Sequence, residues 1–322
     1  MSPTPHPPRA AWIAWAAVCV IWGTTFLAIK VALDTIPPFL LGGLRYVVAG
    51  TVLAAFLVAR RRALPPVAHW PRLAGLGILM LGFGNGGVVW AEQYLASGLT
   101  AVVIATTPFW MIGVDTTLPG GDRLRARQVV GLLVGFSGIV LLVWPSLAVS
   151  GGRTAEVLMG IGALQLACAG WAVASGFTRR KVVAADVLGA AALQMVFGGV
   201  FMLLVGTVTG EWSALRFSLP AAGALAYLVV AGSLVAFAAY SYALRHLPVA
   251  VVSLHNYINP VIAVALGTLL LGEPFRPSML VAGAVIALGI LIVRPAGRPG
   301  SRPRRRPTLP RLSVASSGGG RS

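Results

Sequence analysis

The sequence predicts an all-α integral membrane protein of ten transmembrane helices, built as two inverted five-helix repeats. Composition is the first reason. The 322 residues are 57% hydrophobic and only 10% charged, with a mean hydropathy of +0.85. A water-soluble domain of this length carries roughly 25% charged residues. Spacing is the second. Apolar runs recur at the length of about 20 residues that a helix needs to cross a ~30 Å hydrocarbon core. The third is internal repetition. A shift of 149 places Cys19 on Cys168, Trp22 on Trp171, Lys30 on Arg179 and Leu44-Arg45 on Leu193-Gln194. A shift of 152 places Leu95 on Leu247, Pro108 on Pro260 and Gly131 on Gly283.

Residues 1–11 are Pro-rich and read as a short N-terminal tail. The run after Arg9 outlasts a signal-peptide core and shows no small-x-small cleavage site, so it reads as the first span, 12–33. Further spans are expected at 38–59, 73–95, 98–118, 128–147, 157–178, 186–209, 219–243, 248–271 and 278–294. Breakers separate them, among them Pro37-Pro38, Pro65-Pro66, Pro119-Gly120-Gly121, Gly151-Gly152, Pro274 and Pro277. The first repeat is expected over 12–147 and the second over 148–294. Residues 295–322, rich in Arg, Pro, Gly and Ser, read as a disordered basic tail. Five spans per repeat is an odd number, so the second copy must enter the membrane inverted.

Loop charge sets the orientation. With the N-terminus inside, the inner loops hold Arg60, Arg61, Arg62, Arg72, Arg123, Arg125, Arg127, Arg179, Arg180, Lys181 and Arg245. The outer loops hold only Arg153, Arg216 and Arg276. The positive-inside rule then places both termini in the cytoplasm, at the cytoplasmic membrane. The net charge of +17 lies in these loops and the tail, without a basic helix carrying interleaved aromatics, so nucleic acid is not an expected partner. Two cysteines, both inside spans, supply neither a disulfide framework nor a metal cluster. No Walker run, dinucleotide fingerprint, H-E-x-x-H or G-x-S-x-G occurs, so neither a cofactor nor ATP-driven pumping is expected.

Candidate functional residues are the polar groups at membrane depth, which cost several kcal/mol unless partnered or hydrated. The ninth span places His255, Asn256 and Asn259 on one helical arc beside Pro260, while their first-repeat counterparts are Val103, Ile104 and Thr107. A polar-walled pathway and a polar clasp between packed helices both fit this pattern. Pro108 and Pro260 occupy matching positions and read as kinks, for packing or for function. In the third span Asn85 and Glu92 lie seven apart on one face, behind glycines that favour close helix packing. Glu92, Asp115 and His255 are candidates for proton coupling, with an interfacial carboxylate as the plainer reading of Glu92. Asn85, Glu92, Trp110, His255, Asn256 and Asn259 are the expected substrate-site residues; Trp110, like Trp22, Trp171 and Tyr257, equally suits a packing or wall role. Lys30 and Asp34, spaced i, i+4, are expected to pair. Arg45 either snorkels or attracts an anionic group.

Ile21 to Gly50, IWGTTFLAIKVALDTIPPFLLGGLRYVVAG, resembles the opening of an EamA-type protein of the drug/metabolite transporter superfamily. PVIAVALGTLLLGE, Pro260 to Glu273, followed by Gly283 and Gly289, resembles the end of the second EamA repeat. GNGGVVWAEQYLASGLTAVVIATTPFW, Gly84 to Trp110, is similar to the drug or metabolite exporter subgroup. The resemblance implies export of a small molecule through a central cavity lined partly by spans three, four, eight and nine. The first repeat departs from it, ending Leu118-Pro119-Gly120-Gly121-Asp122 without the L-G-E of Leu271 to Glu273. Glu273 is expected to cap the short turn before Pro274. A secondary transporter, as monomer or homodimer, is therefore expected. A membrane-embedded lipid-modifying enzyme would need convergent acids, histidines or metal ligands at one depth. A scaffold or sensor would need no polar midplane arc.

Overall fold

The computed structural model describes residues 8–117, 126–148, 153–180, 187–247, 249–252 and 254–293. The described residues form helices and turns, with no strand among them. The first repeat begins with α1 (Arg9–Leu33) and α2 (Pro38–Ala59), followed by a 3-10 turn, Val67–His69. The third crossing joins α3 (Trp70–Gly77), a π-helical segment (Ile78–Asn85) and α4 (Gly86–Ala91). The fourth is split into α5 (Ser97–Ile104) and α6 (Thr107–Thr117), and α7 (Ala126–Ala148) follows. The second repeat has α8 (Thr154–Arg180), α9 (Val187–Val208) and a 3-10 turn, Glu211–Ser213. Its next crossing joins α10 (Leu219–Tyr227), a second π-helical segment (Leu228–Val235) and α11 (Ala236–His246). The chain continues through α12 (Val249–Val252), α13 (His255–Leu271) and α14 (Pro277–Val293).

Among the described residues, 7 helical stretches are long and apolar enough to cross a membrane. Ala126–Leu142, Ile258–Leu271 and Pro277–Gly289 are shorter apolar helices. Burial is arranged for lipid. Leu133, Val261, Leu269 and Leu280 are exposed, whereas Arg45, Glu92, Thr100, Ser233 and His255 are buried. Apolar side chains face outward because hydrocarbon is the solvent there, and polar groups turn inward where partners exist.

The packing maps onto itself when the halves are exchanged. The broadest helix contacts, α2 with α9 and α7 with α14, each join a helix to its own counterpart, and α1 on α13 is matched by α8 on α6. The counterparts run antiparallel. Along α2 and α9, Gly206 meets Leu40, Gly199 meets Val47, and Gly50 meets Ala192 and Val196. These approaches need glycine: a Cβ at Gly199 would lie 2.6 Å from the Val47 backbone nitrogen.

Four local features differ from the sequence expectations. The third and eighth crossings are not plain α-helices; their π segments start 150 residues apart, at matching repeat positions. The ninth is interrupted by a turn at Leu254, so His255 opens α13 and does not sit in mid-helix. The fourth breaks at Ala105–Thr106, and Pro108 becomes the second residue of α6, where its missing N–H costs nothing. Lys30 bonds the carbonyls of Glu92 and Leu95, at 2.5 and 3.0 Å. That ammonium closes the α4–α5 turn, where orphan carbonyls collect.

Candidate functional site

Two polar clusters lie where the repeats meet. The first forms between α1, α11 and α13. The Asn259 amide, oriented to satisfy its neighbours, donates to the carbonyls of His255 at 2.9 Å and Cys19 at 3.1 Å. Pro260, inside α13, has no N–H to donate, which frees the Asn256 carbonyl one turn back. The His255 ring is buried against Trp22 at 5.0 Å and Tyr240 at 5.8 Å between centroids. His255 Nδ1 lies 2.8 Å from the Val252 carbonyl, which accepts, so Nδ1 carries the proton. Trp22 Nε1 donates to the Gly232 carbonyl of the second π segment at 3.2 Å. A π turn frees such groups from the regular ladder. Asn256 is half-buried on the same helix.

The second cluster is the repeat counterpart of the first. Thr107 Oγ1 donates to Cys168 Sγ at 3.3 Å, and Thr107 and Cys168 match Asn259 and Cys19. The same pair of positions thus meets twice, with an amide donating to the Cys19 backbone carbonyl in one copy and a hydroxyl to the Cys168 sulfur in the other. Trp110 Nε1 donates to Gln165 Oε1 at 2.8 Å, and Gln165 Nε2 is buried with no partner among the described residues. Asn85 is half-buried at the junction of the first π segment with α4. Pro108 begins α6 beside Thr107. Asp115 lies on α6, and its side chain is outside the described residues.

The third group sits at the end of the bundle that holds the α4–α5 turn. Glu92 is fully buried, and neither carboxylate oxygen has a hydrogen-bond partner among the described residues. Lys30, Glu273 and Arg45 are the charged groups around it. Arg45 is 4% exposed; its Nε donates to Ser233 Oγ at 2.9 Å, and its guanidinium lies 4.8 Å from the Tyr46 ring centroid. Glu273 does not cap its own turn. It accepts from Ser97 N at 2.8 Å, Ser97 Oγ at 2.9 Å and Gly98 N at 3.2 Å, which are the orphan donors at the start of α5. Glu211, in the turn after α9, accepts in the same way from Leu40 at 2.9 Å and Phe39 at 3.3 Å in α2. Burial pushes the Glu211 carboxyl above its ordinary value, and those two N–H groups oppose the shift.

The structure therefore gathers His255 and Asn259 with Trp22, and it places Trp110 and Glu92 in separate surroundings. Sequence reading missed Tyr240, Gln165, Ser97 and Ser233 as partners. Gln165 and Ser233 carry a visible signal, a polar side chain within an apolar run; Ser97 and Tyr240 become partners only through distant residues.

Among the described residues, an apolar outer surface encloses buried polar groups, several of them where the two halves meet, as in a multi-pass membrane protein. The EamA-like transporter family matches residues 10–144 and again 158–294, and the chain belongs to that family. It is 33% identical over 278 residues to the uncharacterized inner membrane transporter YedA of Escherichia coli (strain K12), covering 86% of this chain and 88% of that protein. It is 25% identical over 280 residues to the uncharacterized transporter YvbV of Bacillus subtilis (strain 168), covering 86% and 89%. It is 26% identical over 287 residues to a probable amino-acid metabolite efflux pump of Escherichia coli (strain K12), covering 85% and 91%. A chain of known crystal structure matches with a TM-score of 0.60 and 24% identity, over 89% of this chain and 98% of that one, a likeness of fold.

Proposed function

We propose that this transporter is a secondary exporter of small molecules, working by alternating access between two inverted five-helix repeats, 12–147 and 148–294. The observation that carries the reading is the contact of half-buried Asn259 with the carbonyls of His255 and Cys19 beside Trp22, between α13 and α1. Polar groups held between the two copies are placed to exchange their partners for those of a substrate when the copies move apart. The matched antiparallel pairs α2 with α9 and α7 with α14 support the inverted relation. In this reading ten crossings leave both termini in the cytoplasm. Asn85, Trp110, His255, Asn256 and Asn259 line the path, and Trp22 and Tyr240 form its aromatic wall. Glu92, with two buried oxygens that have no partner among the described residues, is the leading group for proton coupling, ahead of His255 and Asp115.

The name of one relative, a probable amino-acid metabolite efflux pump, makes amino-acid metabolites the first compounds to assay. Cells overproducing the chain should lower the internal level of one compound class. Purified protein in liposomes should then move that compound in response to a pH gradient. Asn256→Leu with Asn259→Leu should reach the membrane and lose flux by about tenfold or more, as expected when an amide worth ~1.4 kcal/mol or more to the substrate is removed. Unchanged flux in that variant would overturn the site, and no flux from the unaltered chain would favour a scaffold.

A further inference from the structure

Glu273 spans the two repeats. It belongs to the second, and the three donors it satisfies, Ser97 N, Ser97 Oγ and Gly98 N, belong to the first. A carboxylate at a helix N-terminus forms charge-assisted bonds and also meets the positive end of the helix dipole. The fit is close on every side. A Cβ on Gly267 of α13 would strike both the Glu273 carboxylate and Ser97 Oγ, and one on Gly98 would lie 2.9 Å from Val264 Cγ2. The other side of the same turn is held by Lys30 on the carbonyls of Glu92 and Leu95. Leu95, between these two fastenings, is buried.

The sequence of the first repeat has no carboxylate in the matching register, a position that lies outside the described residues. By the 152-residue shift, Leu95 corresponds to Leu247, which is also buried, in the turn between α11 and α12. By the same shift Glu273 corresponds to Gly121, and the nearest acid, Asp122, stands one residue further on. Two copies of one unit would open equally at both ends if their turns were fastened equally. We propose that Glu273 is a positioning residue of the transport cycle, a cross-repeat clamp that keeps the α4–α5 end of the bundle closed at rest. The proposal rests on the alternating-access reading above. In that reading the clamped end is the outer one, and it must release Ser97 and Gly98 each time substrate leaves.

Accessibility of paired cysteine reporters tests it in the full chain within membranes. Leu95→Cys and Leu247→Cys, each alone, are labelled with a membrane-impermeant maleimide from either side. The parent chain supplies the background from the buried Cys19 and Cys168. Glu273→Gln should speed labelling at Leu95→Cys by about tenfold or more, since charge-assisted bonds are lost. The same change should slow labelling at Leu247→Cys. Gly267→Ala, which displaces the carboxylate from the α13 side, should act in the same direction, and Ser97→Ala, which removes one donor of three, more weakly. A purely structural cap would loosen both reporters together, or neither, and either result overturns the clamp. Flux in liposomes is measured separately on the same variants. A labelling shift without flux in any variant would leave the clamp standing and refute transport. Flux with unshifted labelling would do the reverse.

Discussion

Glu211 illustrates how single side chains fasten this molecule. Its carboxylate accepts from Leu40 and Phe39 across 171 and 172 residues of sequence. Burial raises its folded-state pKa above the ordinary 4.5 of a glutamate. A raised value favours the protonated fold, so this contribution is complete below pH 4.5 and is lost as pH rises through the folded value. Glu211→Gln cannot ionise. Thermal unfolding in detergent across pH 4 to 8 should therefore show the natural chain losing stability relative to Glu211→Gln as pH rises; a gap that widens in its favour would contradict this. Among the candidate residues, His255 and Asn259 were legible because polar groups in an apolar run stand out. Trp22 was legible as a repeat match, but its partner Gly232 lies 210 residues away and no local signal names it. Lys30 shows the same limit. Its spacing to Asp34 suits a helical pair, yet two carbonyls of the α4–α5 turn claim the ammonium.

Helices carry the next level of specification. The crossings that contain π segments, Ile78–Asn85 and Leu228–Val235, are largely apolar and read from sequence as ordinary α-helix. A π segment adds one residue to a turn, and hydrophobicity alone does not record it. Glycine-mediated contacts, in contrast, left a visible trace as Gly198-Gly199 in α9. A Cβ on Gly198 would stand 2.6 Å from the Gly77 carbonyl oxygen of α3. Gly198→Ala should cost about 1–3 kcal/mol by overpacking. Gly223→Ala in α10, where nothing lies within 4 Å, should change stability by no more than about 0.5 kcal/mol. Equal melting shifts for the two would show that close α3–α9 approach is not what Gly198 provides.

At the scale of the molecule, the antiparallel pairing of α2 with α9 and of α7 with α14 means that each repeat supplies the other's lateral support. It also binds topology to sequence: an inverted pair of five-span units must return both ends to one side. Reporter domains fused at either terminus should both be active on the cytoplasmic side. Termini on opposite sides would dismantle the inverted-repeat reading and the placement of the Glu273 clamp together.

Hydropathy and repeat spacing by themselves determined that this chain is a helical membrane protein made of two related halves. Both signals are local or periodic, and lipid solvent enforces them residue by residue. Tertiary structure alone decided which polar groups meet: Asn259 with Cys19, Glu273 with Ser97, Arg45 with Ser233. Those pairings join residues more than 170 positions apart. At that distance a hydrogen bond depends on how the helices pack, and apolar runs that all look alike do not encode it.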